Sequence, residues 1–98
     1  MNLPQISGLI NGAILNDSNA NYVYKKGFAS DLMSDVLRFH MEDTVLITGL
    51  STIQTIRTAE ISNITCVIVA RGKEVTEDML KLAKDCHISI INTKSSLF

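Results

Sequence analysis

Apolar positions along the chain follow two different spacings, and the alternation between them predicts the elements. Three short, predominantly apolar runs, Val45-Leu46-Ile47, Cys66-Val67-Ile68-Val69-Ala70 and Ile88-Ser89-Ile90-Ile91, begin near residues 44, 66 and 88, 22 residues apart. Runs of this length, rich in β-branched residues, are expected of strands covered on both faces. Between them the spacing becomes helical. Ile53, Ile56 and Ala59 place apolar groups on one side of a helix, and Met79, Leu82, Ala83 and Cys86 stand at i, i+3, i+4 and i+7. Strands alternating with helices at this period predict successive βα units, whose right-handed crossovers make the strands parallel.

The start of each helix is also marked. Ser51 followed by Gln54 reads as a capping box, with the serine oxygen accepting from an early helical N–H and the glutamine reaching back. Thr76, followed by the acids Glu77 and Asp78, predicts a second cap, and Ser30 with Asp31 a third, for a helix carrying Leu32, Met33, Val36 and Leu37. Nearer the N-terminus, Leu3, Ile6, Leu9 and Ile10 predict an amphipathic helix over about 4–11, with Pro4 in its first turn. Ala13-Ile14-Leu15 reads as a brief strand, and Tyr22-Val23-Tyr24 with Lys25 as a strand near a sheet edge, ending where Gly27 permits a turn. The strand order in this first quarter is left open. The expected architecture is α/β, with three layers (α/β/α) and a mostly parallel central sheet.

Composition narrows the function classes. At 98 residues the chain fits one domain, 1–98, able to bury roughly two thirds of its extended surface. A formal net charge of −1 supplies no broad field for nucleic acid or an anionic membrane surface, so neither is an expected partner. No apolar run approaches the roughly 18 residues of a membrane span, no leader-like segment opens the chain, and two cysteines make no disulfide framework. A cytoplasmic protein is expected.

In an open parallel sheet, ligands lie beyond the carboxyl ends of the strands, beside the N-termini of the following helices. The residues so placed are Ser30, Asp31, Gly49, Ser51, Thr52, Arg71, Gly72 and Lys73, with Lys94 after the last strand. Gly49 and Gly72 permit tight turns, the hydroxyls and helix N–H groups suit a phosphate or carboxylate, and the cations add charge. Glycines and caps also serve any strand-to-helix turn, and no GxxxxGK[ST] or GxGxxG motif is present. His40 and His87 lack metal-ligand spacing, so no metal or cofactor is expected, and Cys66 and Cys86 read as small core residues. Asp31 and Asp35, one helical turn apart, have the spacing of an acid-base pair but equally that of a first-turn acid and a partner of Arg38. Arg57 and Glu60 are spaced for an exposed ion pair, with a dimer contact the other reading.

The ordered series GFASDLMSDVL (27–37), VLITGLSTIQTIRTAE (45–60), VIVARGKEVTEDMLKLAKD (67–85) and ISIINTKSSLF (88–98) resembles the DRTGG domain family, in particular its small free-standing bacterial members. The resemblance implies a fold like the N-terminal domain of HPr kinase, frequent homodimerisation, and a family without established catalysis that is found fused to CBS domains, pyrophosphatases and phosphate acetyltransferases. Free-standing members also resemble proteins encoded beside iron hydrogenase or electron-transfer genes, which implies a protein partner in an enzyme system. They commonly continue past the equivalent of Phe98 with a further helix. Where the family has a Gly-Asp-Arg-like turn this chain has Gly49-Leu50-Ser51-Thr52, and where it has Thr-Gly-Gly this chain has Ala70-Arg71-Gly72. The expectation is a non-enzymatic regulatory or interaction module, with a nucleotide- or phosphate-sensing domain as the alternative.

Overall fold

A computed structural model describes residues 2–16, 23–29 and 43–94. In chain order the elements are α1 (Leu3–Ile10), β1 (Ala13–Asn16), β2 (Lys26–Ala29), β3 (Thr44–Thr48), α2 (Ile53–Ile61), β4 (Cys66–Val69), α3 (Glu77–Asp85) and β5 (Ser89–Asn92). The strands form one sheet in the order β1-β5-β4-β3-β2. From β2 to β5 all neighbours are parallel, while β1 runs antiparallel against β5. The chain is therefore α/β with a mostly parallel sheet, and β1 and β2 are its edges.

Two clusters of buried side chains place the helices on opposite faces. Leu46, Val67, Val69 and Ile90 meet Ile56 and Ala59 of α2 and Met79 and Ala83 of α3. On the other face Val45, Cys66, Ile68 and Ile91 meet Leu3 and Ile6 of α1, together with Tyr24. The period-two alternation of β3 and β4 thus feeds both layers, which is why their runs are apolar throughout. The buried amide of Asn16 ties β1 to its neighbour by donating to the Ile88 carbonyl at 2.6 Å.

Several local expectations change. The first helix begins at Leu3, because Asn2 and Gln5 form a reciprocal capping box, and it ends at Asn11 in left-handed geometry. Leu9 is 74% exposed and does not join the apolar face with Leu3 and Ile6. Val23 and Tyr24 precede the strand that Tyr22-Val23-Tyr24 predicted, and Gly27 lies inside β2, paired with Val45, so it ends no strand. Tyr22 and the helix expected after Ser30 lie outside the described residues.

The capping box on the helix after β3 is also overturned. Thr52 is the N-cap of α2, without a side-chain cap bond, and the Ser51 hydroxyl donates instead to the Glu74 carbonyl. An acceptor 23 residues further along the chain took the hydroxyl that local spacing had assigned to the helix. Ile53, at the exposed start of α2, is 38% exposed, and the buried face is Thr55, Ile56, Thr58 and Ala59. The second cap stands as expected, with Thr76 Oγ1 accepting from the Met79 N–H at 3.2 Å.

Candidate functional site at the carboxyl ends of the parallel strands

Three turns emerge side by side from β3, β4 and β5. The turn after β3 is held from within: Thr48 Oγ1 accepts from the Leu50 N–H at 3.1 Å, and the Thr55 hydroxyl donates to the Leu50 carbonyl at 3.2 Å. Ser51 then fastens it to the neighbouring loop through the Glu74 carbonyl, with its oxygen 3.4 Å from Met79 Sδ. The loop after β4 is fastened to the end of β5 in turn. Its Gly72 N–H donates to the Thr93 carbonyl at 3.0 Å, and the Asn92 side chain donates to the Lys73 carbonyl at 2.8 Å. These cross-links make the three turns one rim.

Arg71 and Gly72 occupy consecutive left-handed conformations, with φ of 61° and 68°. For Gly72 this geometry has little steric cost, whereas for Arg71 it costs about 1–2 kcal/mol. The double left-handed step turns the chain back over the rim. The Arg71 guanidinium then lies against Gly49, where a Cβ would stand 1.8 Å from one of its nitrogens. Gly49 is needed for that space. Its backbone is not left-handed, so the tight turn expected of it is not the reason for the glycine. Lys94 lies on the other side of the loop, its Cγ 3.8 Å from the position of a Cβ on Gly72.

The two helix starts on this rim differ. Thr76 caps α3, while Thr52 contributes no side-chain bond to α2 and its hydroxyl sits 3.4 Å from that of Thr55. Uncapped first-turn N–H groups at a helix N-terminus favour an anion. Of the residues expected to carry the site, Gly49, Thr52, Arg71, Gly72 and Lys73 therefore meet at one rim. Ser51 reaches it but is committed to a structural bond, and Ser30 and Asp31 lie outside the described residues. Asn92 and Thr93, at the start of the turn expected after the last apolar run, fix the loop.

The two cysteines hold their protons tightly. Burial pushes the Cys66 thiol up from 9.0 to about 12. Cys86 is pushed up to about 11, first by hydrogen bonding to Glu60, then by burial and by the charges of Glu60 and Asp85 against that of Arg57. Both shifts disfavour the nucleophilic thiolate. Glu60 thus faces Cys86, a neighbour that spacing along its own helix could not show. Among the described residues no group of three or more His, Cys, Asp or Glu side chains is placed to hold a metal ion, and no helix is long and apolar enough to cross a membrane. Comparison with protein families and with curated proteins gives no match to this chain.

Proposed function

We propose that this chain is a non-enzymatic regulatory module that senses a small anion, a nucleotide or phosphate ester, at the carboxyl ends of its parallel strands. The observation that carries this reading is the Arg71 guanidinium lying on Gly49, on the same rim as the uncapped start of α2. Lys73 and Lys94, both exposed, add charge to that rim. The commitment of Ser51 and Thr55 to structural hydrogen bonds supports binding over nucleophilic chemistry. The resemblance to free-standing DRTGG domains is in keeping with the module, with a fold like the N-terminal domain of HPr kinase and with service to a metabolic or redox enzyme.

A thermal-shift panel of phosphate, pyrophosphate, AMP and ATP tests it. A ligand at 100 times its dissociation constant is expected to stabilise the protein by about 2.7 kcal/mol. Arg71→Gly keeps the left-handed backbone while deleting the guanidinium, and is expected to weaken binding about 10- to 100-fold, the worth of one charge-assisted contact. Gly49→Ala is expected to act in the same direction by displacing the guanidinium. Absence of stabilisation by every member of the panel would sink the proposal.

A second reading, a homodimer, is favoured by α2. Ile53 and Ile61, 38% and 69% exposed, stand one helical turn either side of exposed Arg57, so the outer side of the helix presents two large apolar side chains flanking a cation. Sedimentation is expected to show a dimer at tens of micromolar that Ile61→Glu converts to monomer. A wild-type monomer at that concentration would refute it.

A further inference from the structure

The chain holds a single Asn-Gly step, Asn11-Gly12, and it falls where α1 hands over to β1. Asn-Gly is the sequence at which a backbone amide most readily attacks an asparagine side chain, because glycine has no side chain to hinder its nitrogen. Here the fold stands in the way. Asn11 is the left-handed C-cap of α1, with φ of 53° and ψ of 46°. At that ψ the Gly12 nitrogen lies nearly anti to the Asn11 Cβ about the Cα–C bond, whereas closure of a five-membered ring needs the two nearly eclipsed. The nitrogen is also engaged, its N–H donating to the Ser7 carbonyl at 2.9 Å. Two further bonds hold the cap. The Ser7 hydroxyl donates to the Gly12 carbonyl at 2.6 Å, and the Thr93 hydroxyl donates to the Ile10 carbonyl at 3.0 Å.

We propose that Asn11-Gly12 is a conformationally gated deamidation site, closed while this cap is formed and opened when the end of α1 lifts from the sheet. In the opened chain the Gly12 nitrogen bonds to Asn11 Cγ, the Cγ–Nδ2 bond breaks, and ammonia leaves with the proton lost from the Gly12 N–H. Water then opens the succinimide. Cleavage at Cγ gives an aspartate at position 11, and cleavage at the backbone carbonyl gives an isoaspartate, whose main chain runs through Cβ and is one methylene longer. Neither product suits the native seat. An aspartate puts negative charge at the C-terminus of α1, where the helix dipole disfavours it. The longer main chain of the isoaspartate lacks room, since Gly12 is pressed so closely on β5 that a Cβ would stand 2.8 Å from Ile91 Cγ2 and 3.1 Å from the Asn92 carbonyl oxygen. The isoaspartate form therefore keeps α1, which carries Leu3 and Ile6 of the core, from docking again.

Peptide mapping of the full chain, incubated at neutral pH either folded or unfolded in urea, reads the conversion of Asn11 as the mass gain of amide to acid. The folded chain is expected to convert at least about 10-fold more slowly, as an opened cap populated at a few per cent requires. Ser7→Ala removes one cap bond and is expected to raise the folded rate about 5-fold, the worth of one hydrogen bond, with the rate in urea unchanged. Thr93→Val removes a cap bond from another element and is expected to act alike, which covers a failure of Ser7→Ala to fold. Leu46→Ala, which weakens the core far from the cap, is expected to leave the folded rate unchanged. Purified isoaspartate chains are expected to exchange the amides of α1 faster than the unmodified protein does, with those of α3 unaltered. Equal rates in the folded and unfolded chains would overturn the proposal, as would a folded rate that neither cap variant changes. So would a rise with Leu46→Ala as large as with Ser7→Ala, which would assign the opening to global unfolding, or an isoaspartate chain with unaltered exchange in α1.

Discussion

Leu46→Ala is expected to lower the free energy of unfolding by about 2–5 kcal/mol, the cost of a buried leucine truncated to leave a cavity. Leu46 is fully buried on β3, which has β2 on one side and β4 on the other, and its register partners are Phe28 and Val67. Its side chain belongs to the cluster that joins the sheet to α2 and α3. Collapse around the missing methyl groups is restricted because both neighbouring strands are held by ladder hydrogen bonds. Against a total stability of roughly 5–15 kcal/mol, the loss is a large share. Urea denaturation reads it as a fall in midpoint at constant slope. Leu9→Ala is the contrast: at 74% exposure it is expected to change stability by less than about 0.5 kcal/mol. A Leu46→Ala effect as small as that would mean that β3 does not sit at the centre of the fold.

The second large effect is alkaline destabilisation. An unfolded chain releases the Cys66 proton near 9.0, whereas burial holds it in the native state up to about 12. Between those values the native state binds more protons than the unfolded state, so stability falls as pH rises. Below about pH 9 the contribution is fully present. Above it, up to about 1.4 kcal/mol is lost per pH unit until the native thiol titrates near 12. The measurement is a series of urea curves at pH 8, 9 and 10, comparing the wild type with Cys66→Ala. The wild type is expected to lose stability more steeply above pH 9, since the variant has no thiol to titrate there. Cys86, only half-buried and raised to about 11 first by its hydrogen bond to Glu60, titrates in both proteins and cancels from the comparison. Parallel slopes would show that burial does not hold the Cys66 proton.

The strand-end rim was legible in part. Gly49, Thr52, Arg71, Gly72 and Lys73 follow directly from locating strand ends and helix starts, and the structure places them in the turns after β3 and β4, with Arg71 against Gly49. The reasons for some of them differ. Gly49 reads in sequence as a turn residue, yet its role is to leave room for a guanidinium contributed from beyond the next strand. Ser51 reads as a helix cap, yet its hydroxyl is bonded 23 residues away. The place of Gly27 was not legible: it reads in sequence as a turn residue, yet it lies inside the edge strand β2, paired with Val45.

What the sequence determined by itself was everything governed by neighbours within a turn or two. The apolar runs at 45–47, 66–70 and 88–91 specified three buried strands, the helical spacing from Met79 to Cys86 specified α3, and Thr76 specified its start. These features rest on backbone periodicity and on hydrogen bonds three residues long. Tertiary structure alone decided the antiparallel placement of β1 beside β5, the direction of the Ser51 hydroxyl, the exposure of Ile53 while Thr55 and Thr58 are buried, and the seat of Arg71 on Gly49. Each of these is a choice among partners that lie close in space and far apart in the chain. Helical or strand spacing leaves that choice open, and packing settles it.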